Sequence, residues 1–570
     1  MKKIIPAIVI AVMTIGLILS GCSAPTKSQS IPKPAEQADY IETDFNKMTE
    51  EQKAELVRER KELEEKRKAE AGEFYVPLPA LGQETELKTV KAKALYLTAN
   101  VAGFDFNRED IAYYADYIDA ISGKSGKPAD GSRLSEVNKL EMALGICEAT
   151  EINALVIDIK NDNGVVAWDC DIDIVNQINS NATAPIKNYG KLMDYLKEKN
   201  IYRIARVVAF KDPYFAEVKS EHAIRLKAGG IYKDYSGKTW VNPFDEYVWQ
   251  YVLAVSKEAA LRGFEEIQYD YVRFPDGAKK YNPITDFPGR NDRDKDEGIE
   301  DFLKYAKSEL EPYNVHVSAD VFGIVTHSWD DKPEDIGQTW RKIANQVEYI
   351  CPMIYPSHYG PGLYGFDVPD RYPYEIVKLS MAEALERNAA QKNPGIIRPW
   401  IQGFTATWVK GHINYDAKTI STQLIACMEL GIDEYIIWNA ANNYDPMTFF
   451  YQDRINQSIR KSGEDILART PEMALQRYLD AEKNRQFSVM YLLTPIGERL
   501  EDFDAYAAEW EKTAHLLKSY QIVGIDQNED GTYTAAVNAV YNAGSGTFES
   551  KEVKYQIILE KAVFKIAKPE

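Results

Sequence analysis

The sequence predicts an α/β protein built on a (β/α)8 barrel, preceded by a lipoprotein-type tether and followed by a small α+β domain. Three observations predict it. Eight short apolar runs recur between residues 91 and 455, with amphipathic stretches between them, which is the strand–helix alternation of a parallel barrel. Their span of about 360 residues is long for that fold but inside its range of roughly 200 to over 400. No glycine-rich phosphate loop follows the first run, which disfavours the alternative, a doubly wound open sheet.

The N-terminus reads as an address. Met1-Lys2-Lys3 is basic, and Ile4 to Leu19 is almost wholly apolar, shorter than the roughly 20 residues a membrane span needs. This is the pattern of a signal peptide over residues 1–21. It closes on Leu19-Ser20-Gly21-Cys22, which resembles the bacterial lipobox, so Cys22 is the expected lipidation site. The expectation is an extracytoplasmic protein held on the cell membrane by a lipid anchor. Residues 22–90 form the tether. Its first part is rich in Ser, Pro, Lys and Gln. The charged run from Thr49 to Gly72 permits many i,i+4 ion pairs and predicts a solvated helix.

The barrel runs follow over residues 91–455. They are ALYLT from Ala94, ALVIDI from Ala154, IYRIARVVAF from Ile201 and EIQYDYVRF from Glu266. VHVSADVF from Val315, VEYICPMIY from Val347, IRPWIQGF from Ile397 and DEYIIWNA from Asp433 complete the eight. YGKLMDYLKEKN, DEYVWQYVLAVSKEAALRG, IEDFLKYAKSELEPY and ISTQLIACMELG are the clearest intervening helices. Residues 470–570 change character, with helical TPEMALQRYLDAEKNRQFSVMYLL ahead of strands around YTAAVNAVYNAG and KEVKYQIILEKAVFKIA. They weakly resemble a nuclear-transport-factor-like or cystatin-like cone. They carry no catalytic spacing, so a chain ending near Ser462 is expected to keep the barrel's fold. DQNEDG from Asp526 matches half of a calcium loop. Val537 stands where the bidentate Glu belongs, so a hairpin turn with Gly531 at positive φ is expected instead.

Composition narrows the function. With 87 Asp+Glu against 68 Lys+Arg the net charge is −19, which excludes a nucleic-acid partner bound through a basic surface. Five Cys and six His show no C-x-x-C, H-x-x-x-H or H-E-x-x-H spacing, so no metal and no cofactor are expected. Cys147 and Cys170 are the likeliest disulfide pair, and free cysteines are the favoured state. Aromatic residues reach 11%, with 36 Tyr and 9 Trp, which fits both a large core and sugar-stacking surfaces.

In a barrel the chemistry sits at the C-terminal ends of the strands. Those ends carry Asp158, Arg206, Asp270, Asp320, Tyr355, Gln402, and Trp438 with Asn439. Period-two alternation puts Gln268 with Asp270, Ser318 with Asp320, and Arg398, Trp400 and Gln402 together on inward faces. Asp270 and Asp320 close neighbouring runs, and a carboxyl pair suits glycoside hydrolysis. Asp270 is expected as nucleophile and Asp320 as acid/base, with Asp158 and Arg273 supporting them by charge and orientation. Arg206, Trp240, Tyr355, His358, Gln402, Trp438 and Asn439 are the expected substrate-binding groups. Each has a plain structural alternative, such as a helix cap, a salt bridge or a loop pin. Tyr359, His327 and Trp329 lie close by with the same alternatives.

FEEIQYDYVRFPDG, WVNPFDEYVWQYV, VSADVFG and ICPMIYPSHYG are similar to a glycoside hydrolase family with an α-amylase-related barrel, found among secreted and lipid-anchored bacterial proteins. The resemblance covers most of residues 91–450. It implies a TIM barrel acting on polysaccharide, with the nucleophile at Asp270. The amylase clan's acid is a Glu, where this chain has Asp320, and the region around Gln402-Gly403-Phe404 supplies no third carboxylate. Two function classes follow: a glycoside hydrolase, retaining or inverting, of an extracellular or cell-envelope polysaccharide, and a non-catalytic glycan-binding or scaffold lipoprotein. Oligomeric state is not legible.

Overall fold

The computed structural model describes residue 45 and residues 48–567, except 83–86, 328–331, 451–462, 466–468, 496–497, 499–505, 507, 511, 513–515, 545–546 and 561–562. The leader, Cys22, Trp329 and Ser462 lie outside the described residues. No described helix is long and apolar enough to cross a membrane.

The charged run forms helix α1, Glu50–Ala71, opened by a capping box between Thr49 and Gln52 and closed at Gly72 with φ 54°. None of its residues is fully buried, as its composition requires. It is not free of the rest of the chain. Glu64 accepts the Leu78 N–H at 2.9 Å and the Tyr75 hydroxyl at 2.7 Å, so the segment after the helix folds back along it.

The eight apolar runs are all strands: β1 Lys93–Leu97, β2 Ala154–Lys160, β3 Tyr202–Val208, β4 Glu266–Asp270, β5 His316–Phe322, β6 Tyr349–Ile354, β7 Trp400–Gln402 and β8 Tyr435–Trp438. Each pairs in parallel with the next, and β8 pairs with β1, so the sheet closes into a TIM barrel. Helices α2 Arg108–Ile121 and α3 Lys139–Ala149 lead to β2, α4 Tyr189–Glu198 to β3, α5 Glu246–Leu261 to β4 and α6 Lys295–Leu310 to β5. Helices α7 Pro373–Ala389 and α8 Ala417–Glu429 precede β7 and β8, whereas the β5–β6 crossover has two helices of only four residues, Ile324–His327 and Trp340–Ile343, among its described residues.

Near the N-terminal end of the strands the interior holds a buried ion cluster. Arg398 Nη1 donates to both oxygens of Glu266 at 2.8 and 2.9 Å, and its Nε donates to Glu434 at 2.8 Å. Ser318 and Tyr202 donate to the same Glu266, and the guanidinium lies 3.7 Å from the Tyr349 ring centroid. A shift of one residue in any of these strands would turn a charged group into the apolar shell, so the cluster holds the register that carries the opposite end of the barrel.

Residues after 470 form α9 Pro471–Lys483, α10 Phe487–Leu493 and an antiparallel sheet in the order β9 Leu517–Gln527, β10 Tyr533–Gly544, β11 Thr547–Glu560 and β12 Val563–Ile566. Asp526–Gly531 is the β9–β10 hairpin, with Gly531 at φ 86°. The core of this region is shared with the barrel: Phe366, and Ile376 and Leu379 of α7, pack with Leu475, Tyr478 and Ile566. Lys565 of β12 is fully buried against the barrel helices. It donates to the Tyr374 hydroxyl at 3.1 Å and the Leu492 carbonyl at 2.8 Å, and lies 3.6 Å from Glu429, which also pairs with Lys378. Cys147, Cys170, Cys351 and Cys427 are all free thiols.

Candidate active site

The C-terminal ends of β2, β3, β4 and β5 bring Asp158, Arg206, Asp270 and Asp320 together. Register explains it. Asp158 is paired with Arg206, and Tyr269 with Ala319, so Asp270 and Asp320 are level on adjacent strands. Arg206 sits between two acids, donating from Nε to Asp270 at 3.0 Å, from Nη2 to the same oxygen, and from Nη1 to Asp158 at 2.5 Å. The Tyr96 hydroxyl of β1 caps the second Asp158 oxygen at 2.5 Å. Burial opposes the Arg206 charge, but Asp158 and Asp270 outweigh it and hold the guanidinium well above its ordinary value. Burial lifts the Asp158 carboxyl above the usual carboxylate range, against the pull of Arg206 and Tyr96.

Asp320 is the contrasting member. One oxygen accepts the Trp400 indole N–H at 2.7 Å, and the other is buried with no protein partner. Burial first, and the charge of Asp270 second, push its carboxyl well above the usual range. Two acids on adjacent strands disfavour each other's ionisation, and Asp320 is the one with no guanidinium bonded to it. Asp270 and Asp320 are 7% and 1% exposed. Tyr271, directly after Asp270, has φ 49°, a costly conformation for an aromatic residue, and its N–H donates to Asp270 Oδ1 at 2.6 Å. The backbone bends sharply where the acid is presented.

The cation expected beside Asp270 was Arg273, and the structure puts Arg206 there. Arg273 instead donates to the Phe274 carbonyl and to Asp276, and stacks 4.2 Å from the Phe322 ring centroid. It lies beyond the end of β4, off the inward-facing alternation, so its side chain joins the loop wall. Arg206, expected to bind substrate, is engaged by the two acids. Trp240 is buried, with its indole N–H given to Asp234, and pins the β3–β4 loop rather than presenting a face. Gln402 is saturated by the Ser357 N–H, Asp370 and the Phe404 carbonyl. Asn439 is spent on Gly403, Ala441 and Asn443. All three hold loops: Trp240 closes its own loop on Asp234, whereas Gln402 and Asn439 tie segments more than thirty residues apart in sequence.

Tyr355 and Trp438 do reach the mouth, stacked at 5.6 Å and 29°. Burial and the charges of Asp320 and Asp270 raise the Tyr355 phenol well above its ordinary value. His358 has its Nδ1 within 3.0 Å of the Ser357 hydroxyl, and desolvation of the ring lowers its pKa. His327 bonds Glu383, and Tyr359 bonds Ser380, both away from the carboxyls. Three residues that sequence reasoning did not single out also belong here: Tyr96, Phe404 and Trp408. Tyr96 follows the inward alternation of β1 and was open to the reasoning that found the acids. Phe404 and Trp408 lie in a loop without periodicity. Among the described residues no group of three or more His, Cys, Asp or Glu is placed to hold a metal ion.

Fold and site together describe a parallel barrel whose mouth carries two neighbouring carboxyls in unlike surroundings, one bound by a guanidinium and one buried against the Trp400 indole. Residues 130–444 match the family described as "Putative glycosyl hydrolase domain", and the chain belongs to that family. Among solved structures it is similar to a hypothetical protein from Ruminiclostridium thermocellum, with 32% identity over 40% of this chain and 97% of that one and a TM-score of 0.30. It is also similar to the PgaB (BpsB) glycoside hydrolase domain from Bordetella bronchiseptica, at 11% identity, 65% and 98% coverage and a TM-score of 0.39. A chitinase from Chromobacterium violaceum matches at 11% identity, 63% and 97% coverage and a TM-score of 0.32. No curated protein matches the chain.

Proposed function

We propose that this protein is a glycoside hydrolase of an extracellular or cell-envelope polysaccharide, with Asp270 as nucleophile and Asp320 as acid/base. The observation that carries the proposal is the contrast between the two acids: Arg206 grips Asp270, while Asp320 has a buried oxygen with no protein partner and a carboxyl that burial pushes above the usual range. Glycosidic cleavage needs one carboxyl to protonate the leaving oxygen and another to attack or to activate water, and environment assigns the roles. Adjacent strands lie about 4.8 Å apart, which suits the roughly 5–5.5 Å carboxyl separation of retaining enzymes. Asp158 and Tyr96 orient Arg206, and Trp400 orients Asp320. The same residue, Asp270, is the nucleophile that the α-amylase-like resemblance implies.

The test is a pair of variants assayed on polysaccharides and on activated aryl glycosides. Asp270→Asn is expected to abolish both activities without unfolding. Asp320→Asn is expected to slow polysaccharide cleavage by roughly 10²- to 10⁴-fold while sparing aryl glycosides, whose leaving groups need no proton. Wild-type rates in both variants would refute the assignment. The 1% exposure of Asp320 favours a second reading, a glycan-binding barrel without turnover, because an acid must come within hydrogen-bond reach of the leaving oxygen and a binding wall need not. Oligosaccharide binding with no cleavage of any substrate would establish that second reading.

We propose further, from the lipobox pattern alone, that Cys22 carries a lipid anchor that holds the protein on the outer face of the cell membrane. Cys22→Ala is expected to move it out of the detergent phase on partitioning, and unchanged partitioning would refute lipid anchoring.

A further inference from the structure

Trp408 is the most exposed tryptophan on the described surface, at 67%. A single exposed apolar side chain is ordinary, and what distinguishes this one is how it is held. The loop is built to hold it out. Ala406, two residues earlier, is completely buried, and the Val409 N–H closes on its carbonyl at 2.9 Å. The fully buried Asp370 ties the two ends of the loop: its carboxylate takes Gln402 at one end and the Ile413 N–H at the other, and its carbonyl takes the Tyr415 hydroxyl. The Tyr415 N–H in turn bonds the Thr405 hydroxyl. The indole stacks on Phe404 at 5.8 Å and 18°, and His358 stands edge-on to it at 6.3 Å and 88°.

The stack continues inward. Phe404 meets Trp438 at 5.1 Å and 85°, and Trp438 stacks on Tyr355 at 5.6 Å. Tyr355 is close enough to Asp320 and Asp270 for their charges to raise its phenol. One aromatic surface therefore runs from the carboxyls to an exposed, immobilised indole on the β7 side of the mouth.

We infer that Trp408, backed by Phe404, is an outer subsite that stacks a hexopyranosyl unit of an oligosaccharide whose chain extends away from the carboxyls along the β7 loop. The inference rests on the proposed function and adds a direction and a chain-length requirement to it. A pyranose ring has an apolar C–H face and a polar rim, so a flat indole beside an imidazole matches it. A fully apolar partner surface would need more than one exposed ring, and a second protein would need a larger patch.

The test uses full-length protein in detergent and a panel of linear α-1,4- and β-1,4-linked hexasaccharides and disaccharides of glucose and N-acetylglucosamine. Binding is read by calorimetry, with sedimentation velocity on the same samples. Trp408→Ala is expected to weaken the best hexasaccharide about tenfold, and a disaccharide less, since a disaccharide held at the carboxyls does not reach the loop. Trp408→Tyr should recover most of the loss, which a purely structural role would not require. Equal hexasaccharide affinity in wild type and Trp408→Ala would overturn the inference and leave the catalytic proposal standing. No binding of any oligosaccharide by wild type would overturn both. Loss of self-association in Trp408→Ala, with glycan affinity unchanged, would show a protein interface and overturn the inference alone.

Discussion

Replacing Asp320 by Asn tests how strongly the barrel mouth disfavours a charge at this position. The substitution keeps size, preserves an oxygen to accept the Trp400 N–H at 2.7 Å, and replaces the ionisable carboxyl by a neutral amide. In the folded protein the Asp320 pKa is raised, by burial and by Asp270, above the unfolded value of about 3.9. The sign follows directly. Below about pH 4 both states are protonated and the acid costs nothing. As pH rises, the unfolded state releases the proton first, and wild type loses stability until pH passes the folded-state value. Each pH unit in that window is worth up to about 1.4 kcal/mol. Asn has no such dependence, so the variant should gain on wild type by that slope as pH rises from 4. The neighbouring charges of Asp270, Arg206 and Glu266 are present in both proteins and enter mainly through their response to the substitution. Urea midpoints followed by tryptophan fluorescence at pH 4, 5, 6 and 7 measure the difference. A difference that stays flat would mean that Asp320 has an ordinary pKa. A variant that falls behind as pH rises would mean that the native state prefers the ionised acid, and either result refutes the reasoning.

Further outcomes are expected at neighbouring positions. Arg206→Met strips Asp158 and Asp270 of their shared cation and should cost about 3–5 kcal/mol at neutral pH, with the deficit shrinking in acid as the carboxyls protonate; a pH series of urea melts checks both. Trp400→Phe removes a donor that lowers the Asp320 pKa, so the alkaline limb of kcat/KM should move to higher pH on any substrate found. Lys565→Met leaves Glu429 with one ammonium fewer in a fully buried site, and should cost about 3–5 kcal/mol and speed proteolytic loss of the C-terminal sheet relative to the barrel.

The barrel was legible because parallel strands covered on both sides read as unbroken apolar runs, and the polar residues that interrupt them inward are conspicuous. Asp158, Asp270 and Asp320 stood out for that reason. What was not legible is how the polar groups are spent. Gln402 and Asn439 carry the same signature as the acids, yet their partners, Asp370 and Gly403, lie in loops whose approach no periodicity encodes, and Trp240, itself in a loop, is turned inward by Asp234. The choice between Arg206 and Arg273 was decidable in principle. Arg206 falls on the alternation with Ile204 and Tyr202, and Arg273 follows the end of its strand. Trp408 gave no signal, since an indole in an irregular loop reads the same whether buried or exposed. The shared core between α7 and the residues after 470 was equally silent, because the segments forming it are about one hundred to two hundred residues apart.

The position of Lys565 also bears on how the chain is made. Glu429 and Tyr374 belong to helices that leave the ribosome well over a hundred residues before β12, and until β12 arrives their buried site lacks one of its two ammonium groups. β12 is therefore a late-arriving keystone: until it docks, Glu429 lacks the Lys565 ammonium, and a nascent chain stopped short of β12 is expected to be cut by proteases faster than one that carries it.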